Sequence, residues 1–213
     1  IPVAKKARWD SSQATALIAY SFLTGAGWVG WFVLGAIDRF ILNGFFDASE
    51  VGLYSAYFAA TGGIAAIFLQ VIVSVLFPAI AKKEDKKGSL RSIEKALPWL
   101  LLGMIIVIGA VSVVILWLYG EEFPIVPSLL APFVLSAALS FGFQLFMWLL
   151  NAEGKKGAMQ TTIGTLLAVL INVGGNFALI PSMGIMGAIV TTVMSNVFLL
   201  LFFWWRARRL YAS

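Results

Sequence analysis

Cysteine and histidine are both missing from this 213-residue chain. Without cysteine there is no disulfide framework and no thiol nucleophile, and the redox compartment leaves no trace in the sequence. Without histidine, the commonest general base and the commonest zinc ligand are lost together. Charge is scarce as well. Asp, Glu, Lys and Arg make up 12% of the residues against 61% hydrophobic, and the mean hydropathy is +0.94. Soluble domains carry about 25% charged residues, so this composition excludes an ordinary water-soluble fold. No carboxylate pair lies inside an apolar run, no serine has a histidine to activate it, and no phosphate-cradling glycine loop opens a helix. The chain is therefore read as a non-enzyme with no metal centre and no cofactor.

What the sequence has in abundance is long apolar runs. Six are present: Ala14–Ile37, Val51–Ala81, Ala96–Leu118, Ile125–Leu150, Ala158–Ile180 and Gly184–Trp205. Each meets the ~20 residues that a helix needs to cross the ~30 Å hydrocarbon core of a bilayer. None alternates polar and apolar residues with period two, which argues against strands. The expected fold class is thus all-α, an integral membrane bundle of six transmembrane helices forming one lobe over residues 1–213. Asp10, Ser11 and Ser12 are N-cap candidates for the first helix. Pro78 is expected to kink the second, and Pro181–Met183 to form the turn between the fifth and sixth. No signal-peptide pattern opens the chain, whose first apolar run is too long for one.

The net charge of +5 could suggest nucleic acid, but the basic residues sit between apolar runs, where they read as topology signals instead. Lys5, Lys6 and Arg8 precede the first run; Lys82, Lys83, Lys86, Lys87, Arg91 and Lys95 separate the second from the third. Lys155 and Lys156 separate the fourth from the fifth, and Arg206, Arg208 and Arg209 follow the sixth. The alternate connections hold Asp47 and Glu50, then Glu121 and Glu122, then no charge. Of the 15 basic residues only Arg39 breaks the pattern. By the positive-inside rule both termini are expected in the cytoplasm.

Arg39 follows Asp38 at the far end of the first run, and Asn43 lies one helical turn beyond Arg39. A charged pair there is either an interfacial anchor or the lining of an aqueous cavity, and the two readings are evenly balanced. Polar stripes at helical spacing favour the cavity. They are Ser136, Ser140, Gln144 and Asn151 on the fourth run, and Thr161, Thr165, Asn172 and Asn176 on the fifth. The sixth adds Thr191, Ser195 and Asn196. Hydrogen bonding between helices is the competing explanation of these stripes.

The segments IDRFILNGFFDASEVGLYSAYFAA, VLFPAIAK, YGEEF and INVGGNFALIPSMGIMGAIVTT occur in this order along nearly the whole chain. Together they resemble the carboxy-terminal six-helix half of polysaccharide flippases. These belong to the superfamily that also contains multidrug and toxin extruders and lipid II flippases. The resemblance implies two six-helix bundles around a cavity that opens alternately to the two sides. It also implies transfer of a polyprenyl-linked oligosaccharide from the inner to the outer leaflet of the cell membrane. Asp38, Arg39, Tyr54, Asn172 and Asn176 match the family's recurrent polar and charged positions, and Pro181, Gly184 and Gly187 match its tight outer turn. Arg39 becomes the first candidate for contact with the diphosphate. The implied partners are the lipid-linked oligosaccharide, membrane lipids and a second six-helix half, covalent or separate, because six spans are half of such a transporter. Two rival readings stand beside this one. A cation-coupled multidrug extruder would want an acidic residue in the cavity, and Asp38 is the candidate. A membrane scaffold for glycosyltransferases would spend its polar stripes on helix packing alone.

Overall fold

The computed structural model describes residues 11–82 and 86–211. Lys5, Lys6, Arg8, Asp10 and Lys83 lie outside them, as do the side chains of Ser11, Ser12, Pro78 and Lys82. Six helices make up the described chain: α1 Ser11–Phe45, α2 Ala48–Lys82, α3 Lys86–Tyr119, α4 Pro127–Asn151, α5 Lys155–Met183 and α6 Ile185–Tyr211. All six contain a stretch long and apolar enough to cross a membrane. In lipid every backbone amide must find its partner within the segment, and a helix does this without help.

Three boundaries differ from the sequence expectation, each for a physical reason. First, α1 does not stop at Asp38 but runs seven residues further, because Arg39 to Phe45 contains no proline and the Asp38 carboxylate is satisfied inside the bundle. Second, α3 begins at Lys86, ten residues before its apolar run, so the basic segment 86–95 is helix rather than loop. Third, Pro181 does not make the turn before α6; it lies within α5. The break is Gly184 alone, at φ +56°, a left-handed backbone that residues with a Cβ rarely adopt. Its amide closes the helix on the carbonyl of Ile180 at 2.8 Å.

The architecture is centred on α4. In its apolar stretch 72% of residues are buried, against 22% for α2 and α3, and α2, α3, α5 and α6 pack around it. α5 pairs closely with α6 and with α1, while α6 and α2 pack on α4. One apolar cluster joins Leu42, Tyr57, Ile108, Leu116, Phe133 and Ile189; a second joins Leu90, Phe146, Leu149, Leu199 and Phe203. Although only Phe46 and Asp47 connect them, α1 and α2 touch each other little. They leave a cleft, and part of the bundle's polarity, Arg39, Gln144 and Asn172 among it, faces that cleft.

The α5–α6 hairpin closes through Gly187. A Cβ there would stand 2.5 Å from the carbonyl oxygen of Leu179, a backbone atom that cannot rotate away. Gly187→Ala is accordingly expected to destabilise the bundle by about 1–3 kcal/mol through overpacking. Thermal unfolding in detergent checks this, and an unchanged transition would contradict so tight a crossing.

The end of the bundle rich in Lys and Arg is fastened by polar contacts. Lys86 donates to Glu153 at 2.7 Å and to the Ala152 carbonyl at 3.1 Å, and the Tyr211 hydroxyl donates to Glu153 at 3.1 Å. Arg208 and Trp204 both donate to Glu94, so α6 is tied to the polar start of α3. The hydrogen bond from Lys86 holds the Glu153 carboxyl below its ordinary range, with partial burial opposing it. A depressed carboxylate contributes stability above its unfolded pKa, ~4.3, and loses it as pH falls through the lower folded value. Stability measured between pH 6 and pH 3 should therefore drop below about pH 4.3, and Glu153→Gln should remove that part of the drop. Both groups are partly exposed, which limits the effect to about 1 kcal/mol.

Candidate functional site

Asp38 is 2% exposed, and its carboxylate joins four helices. Tyr54 of α2 donates its hydroxyl to Oδ2 at 2.6 Å, and Thr192 of α6 donates to the same oxygen at 2.7 Å. Asn176 of α5 donates its amide to Oδ1 at 2.5 Å and also to Asn172 Oδ1 at 3.1 Å. An ionised carboxylate is an acceptor only, so a ring of three donors matches it. Thr192 has a second possible acceptor, the Ala188 carbonyl at 3.1 Å, but the bond to Asp38 is the shorter. The Tyr54 ring is held edge-on against Phe133, with centroids 5.2 Å apart.

Arg39 does not pair with Asp38. Neighbours along a helix point about 100° apart, so the two side chains leave α1 on different faces. Among the described residues the ion pairs are Lys86–Glu153 and Arg208–Glu94, and neither involves Arg39. Its guanidinium carbon stands 4.6 Å from the centre of the Phe58 ring, a cation–π contact, and its buried Nε has no hydrogen-bond partner. A positive charge without a carboxylate partner among the described residues thus borders the cleft.

The cleft is a cavity of about 530 Å³ between α1 and α2, backed by α4 and reached by α5 and α6. Its wall carries Arg39 together with Thr61, Ser140, Gln144, Asn172 and Asn196. Asp38, Tyr54 and Asn176 are not on that wall: they lie behind it and position Thr192 and Asn172, which are. Gln144 donates to the Ser140 carbonyl at 3.2 Å and lines the cleft. Asn43 is exposed on α1 and outside the cavity, since it follows Arg39 onto the last turn beyond the cleft. Asn151 lies at the end of α4, where its side-chain oxygen accepts from Thr161 at 2.9 Å, and it borders a second, smaller chamber.

The polar stripes divide between the two uses expected for them. Asn196 donates to both the carbonyl and the hydroxyl of Ser136, and Ser112 donates to the Ala60 carbonyl, so part of the polarity joins helix to helix. Thr191 and Ser195 return their hydroxyls to carbonyls of their own helix. Thr192 and Phe58 are the two participants that the sequence reading passed over. Thr192 stands four residues before Asn196, and Phe58 four after Tyr54, so helical spacing from known polar positions could have found both.

No family model, no curated protein and no solved structure matches this chain.

Proposed function

We propose that the chain is one lobe of a membrane transporter that carries an anionic, hydroxyl-rich headgroup through its cleft. Specifically, it flips a lipid-linked oligosaccharide from the inner to the outer leaflet of the cell membrane by alternating access. The observation that supports this is Arg39: a guanidinium with no carboxylate partner among the described residues, on the wall of a 530 Å³ cavity. Charged groups within membrane spans face the interior or an aqueous space and mark substrate paths. A guanidinium fork suits the oxygens of a pyrophosphate, and the amides and hydroxyls of Gln144, Asn172 and Ser140 suit sugar hydroxyls. The polyprenyl tail stays in the bilayer while the head moves. The basic connections set the orientation, with both termini cytoplasmic. A second six-helix half would supply the opposite wall of the cleft.

The rival readings fare less well on the same geometry. A multidrug extruder needs an acid where its cationic cargo sits, yet Asp38 is sealed behind the wall and Arg39 is on it. A scaffold would leave no polar chamber between α1 and α2. The test is a cell lacking its own flippase and supplied with this lobe and its partner half. Arg39→Ala is expected to leave lipid-linked sugar accumulated on the inner leaflet, and export equal to that of the unaltered protein would refute the proposal.

A further inference from the structure

The Arg39 cavity does not end at Gln144. A second chamber of about 220 Å³ shares Trp31 and Gln144 with it and continues between α1, α4 and α5. On α4, the polar stripe from Ser136 to Asn151 follows both chambers for about 22 Å. The two are thus compartments of one groove, and the headgroup argument uses only the first.

The walls of the second chamber have a different character. Trp28 and Trp31 of α1 present indole rings, Gln144 and Asn151 of α4 present amides, and Thr161 and Thr165 of α5 present hydroxyls. Among the described residues no charged side chain borders it. Flat aromatic faces ringed by neutral donors and acceptors suit a pyranose, whose C–H face is apolar and whose edge is a belt of hydroxyls. An acyl or prenyl chain would gain nothing from three or four amide and hydroxyl groups, each of which loses water when covered. The surfaces are also held in place. Trp31 packs edge-on against Phe143 with centroids 5.5 Å apart, and Thr161 is bonded to Asn151. Trp31 is eight residues from Arg39 on the same helix, about 12 Å along its axis.

We infer that this second chamber is a carbohydrate subsite, which seats a sugar ring of a glycosylated anion whose charged group rests on Arg39. The inference depends on reading the Arg39 cavity as the headgroup site. Transport specificity for the glycan then resides in the stretch from Trp28 to Asn151, and charge recognition in Arg39.

Binding of two probes to the full chain in nanodiscs separates the parts: a polyprenyl pyrophosphate without sugar, and the same lipid carrying an N-acetylhexosamine disaccharide. Calorimetry should give a glycosylated probe bound roughly tenfold more tightly than the bare one, the scale of one good aromatic contact. Trp28→Leu and Thr165→Val border only the second chamber, and each should erase most of that preference while the Kd of the bare probe stays the same. The unchanged bare-probe Kd also certifies the fold, and Trp28, being largely exposed, tolerates replacement. Equal affinity of the unaltered protein for the two probes would overturn the subsite, as would a preference that survives both substitutions. Arg39→Ala should weaken both probes alike. If the bare probe ignores Arg39→Ala while the sugar preference persists, the headgroup reading fails and the sugar chamber stands.

Discussion

Asp38→Ala is expected to unfold the bundle at a markedly lower temperature, whereas Asp38→Asn is expected to be mild. The alanine leaves the Tyr54 hydroxyl, the Asn176 amide and the Thr192 hydroxyl without their shared acceptor, in a site from which water is excluded. Full desolvation of three donors would suggest a very large loss. The unfolded state in a membrane also finds partners for such groups, however, and measured interhelical bonds are worth only ~0.6–1.7 kcal/mol each. Three of them place the cost at roughly 2–5 kcal/mol. Asparagine keeps the shape and one acceptor, and the hydroxyls of Tyr54 and Thr192 can rotate to accept from its amide. Thr192 has the Ala188 carbonyl as a substitute acceptor. Unfolding in mixed detergent measures the pair. An alanine variant as stable as the asparagine one would show that the four-helix contact at Asp38 contributes little.

Arg39 should behave in the opposite way, although it is the next residue along the chain. Because no carboxylate answers it, Arg39→Gln strands no buried acid; it gives up the contact with Phe58, worth about 0.5–2 kcal/mol. Binding of an anionic headgroup is where the loss appears. A charge-assisted hydrogen bond contributes about 1.5–3 kcal/mol, so Arg39→Gln should weaken binding of a pyrophosphate lipid by roughly ten- to hundredfold. Arg39→Lys keeps the charge without the planar fork and should fall between. Arg39→Glu places like charge against the ligand and should abolish binding while the helices still assemble. The measurement is affinity for the sugar-free pyrophosphate lipid across this series beside the unfolding transition of each variant. Parallel loss of stability and affinity along the series would mean that Arg39 supports the fold, not the cargo.

Adjacent residues with opposite roles show where sequence reading stops. From the sequence, Asp38 and Arg39 look like one polar unit, because a one-dimensional string places them side by side. On α1 the 100° step between neighbours turns the first toward α5 and α6 and the second toward the cleft. The two asparagines of α5 were legible as a stripe four residues apart, but that their target was Asp38, 138 positions from Asn176, was not. Gln144 and Asn151 share a stripe in the sequence and separate in space, since one borders both chambers and the other only the smaller. In the sequence the arginines after the sixth run read as topology signals. Arg208 also binds Glu94, a contact that pattern alone does not suggest.

Run length and hydropathy along the chain were enough for the helical class, for six stretches long enough to cross a membrane and for the distribution of charge among the connections. All three follow from local length and hydropathy, which lipid imposes segment by segment and which no neighbour can alter. Which polar residues are walls and which are ties emerges only when the helices are packed together. That depends on how each helix is rotated and shifted against the others, and the rotation is set by close contacts such as Gly187 on Leu179 that leave little mark in composition.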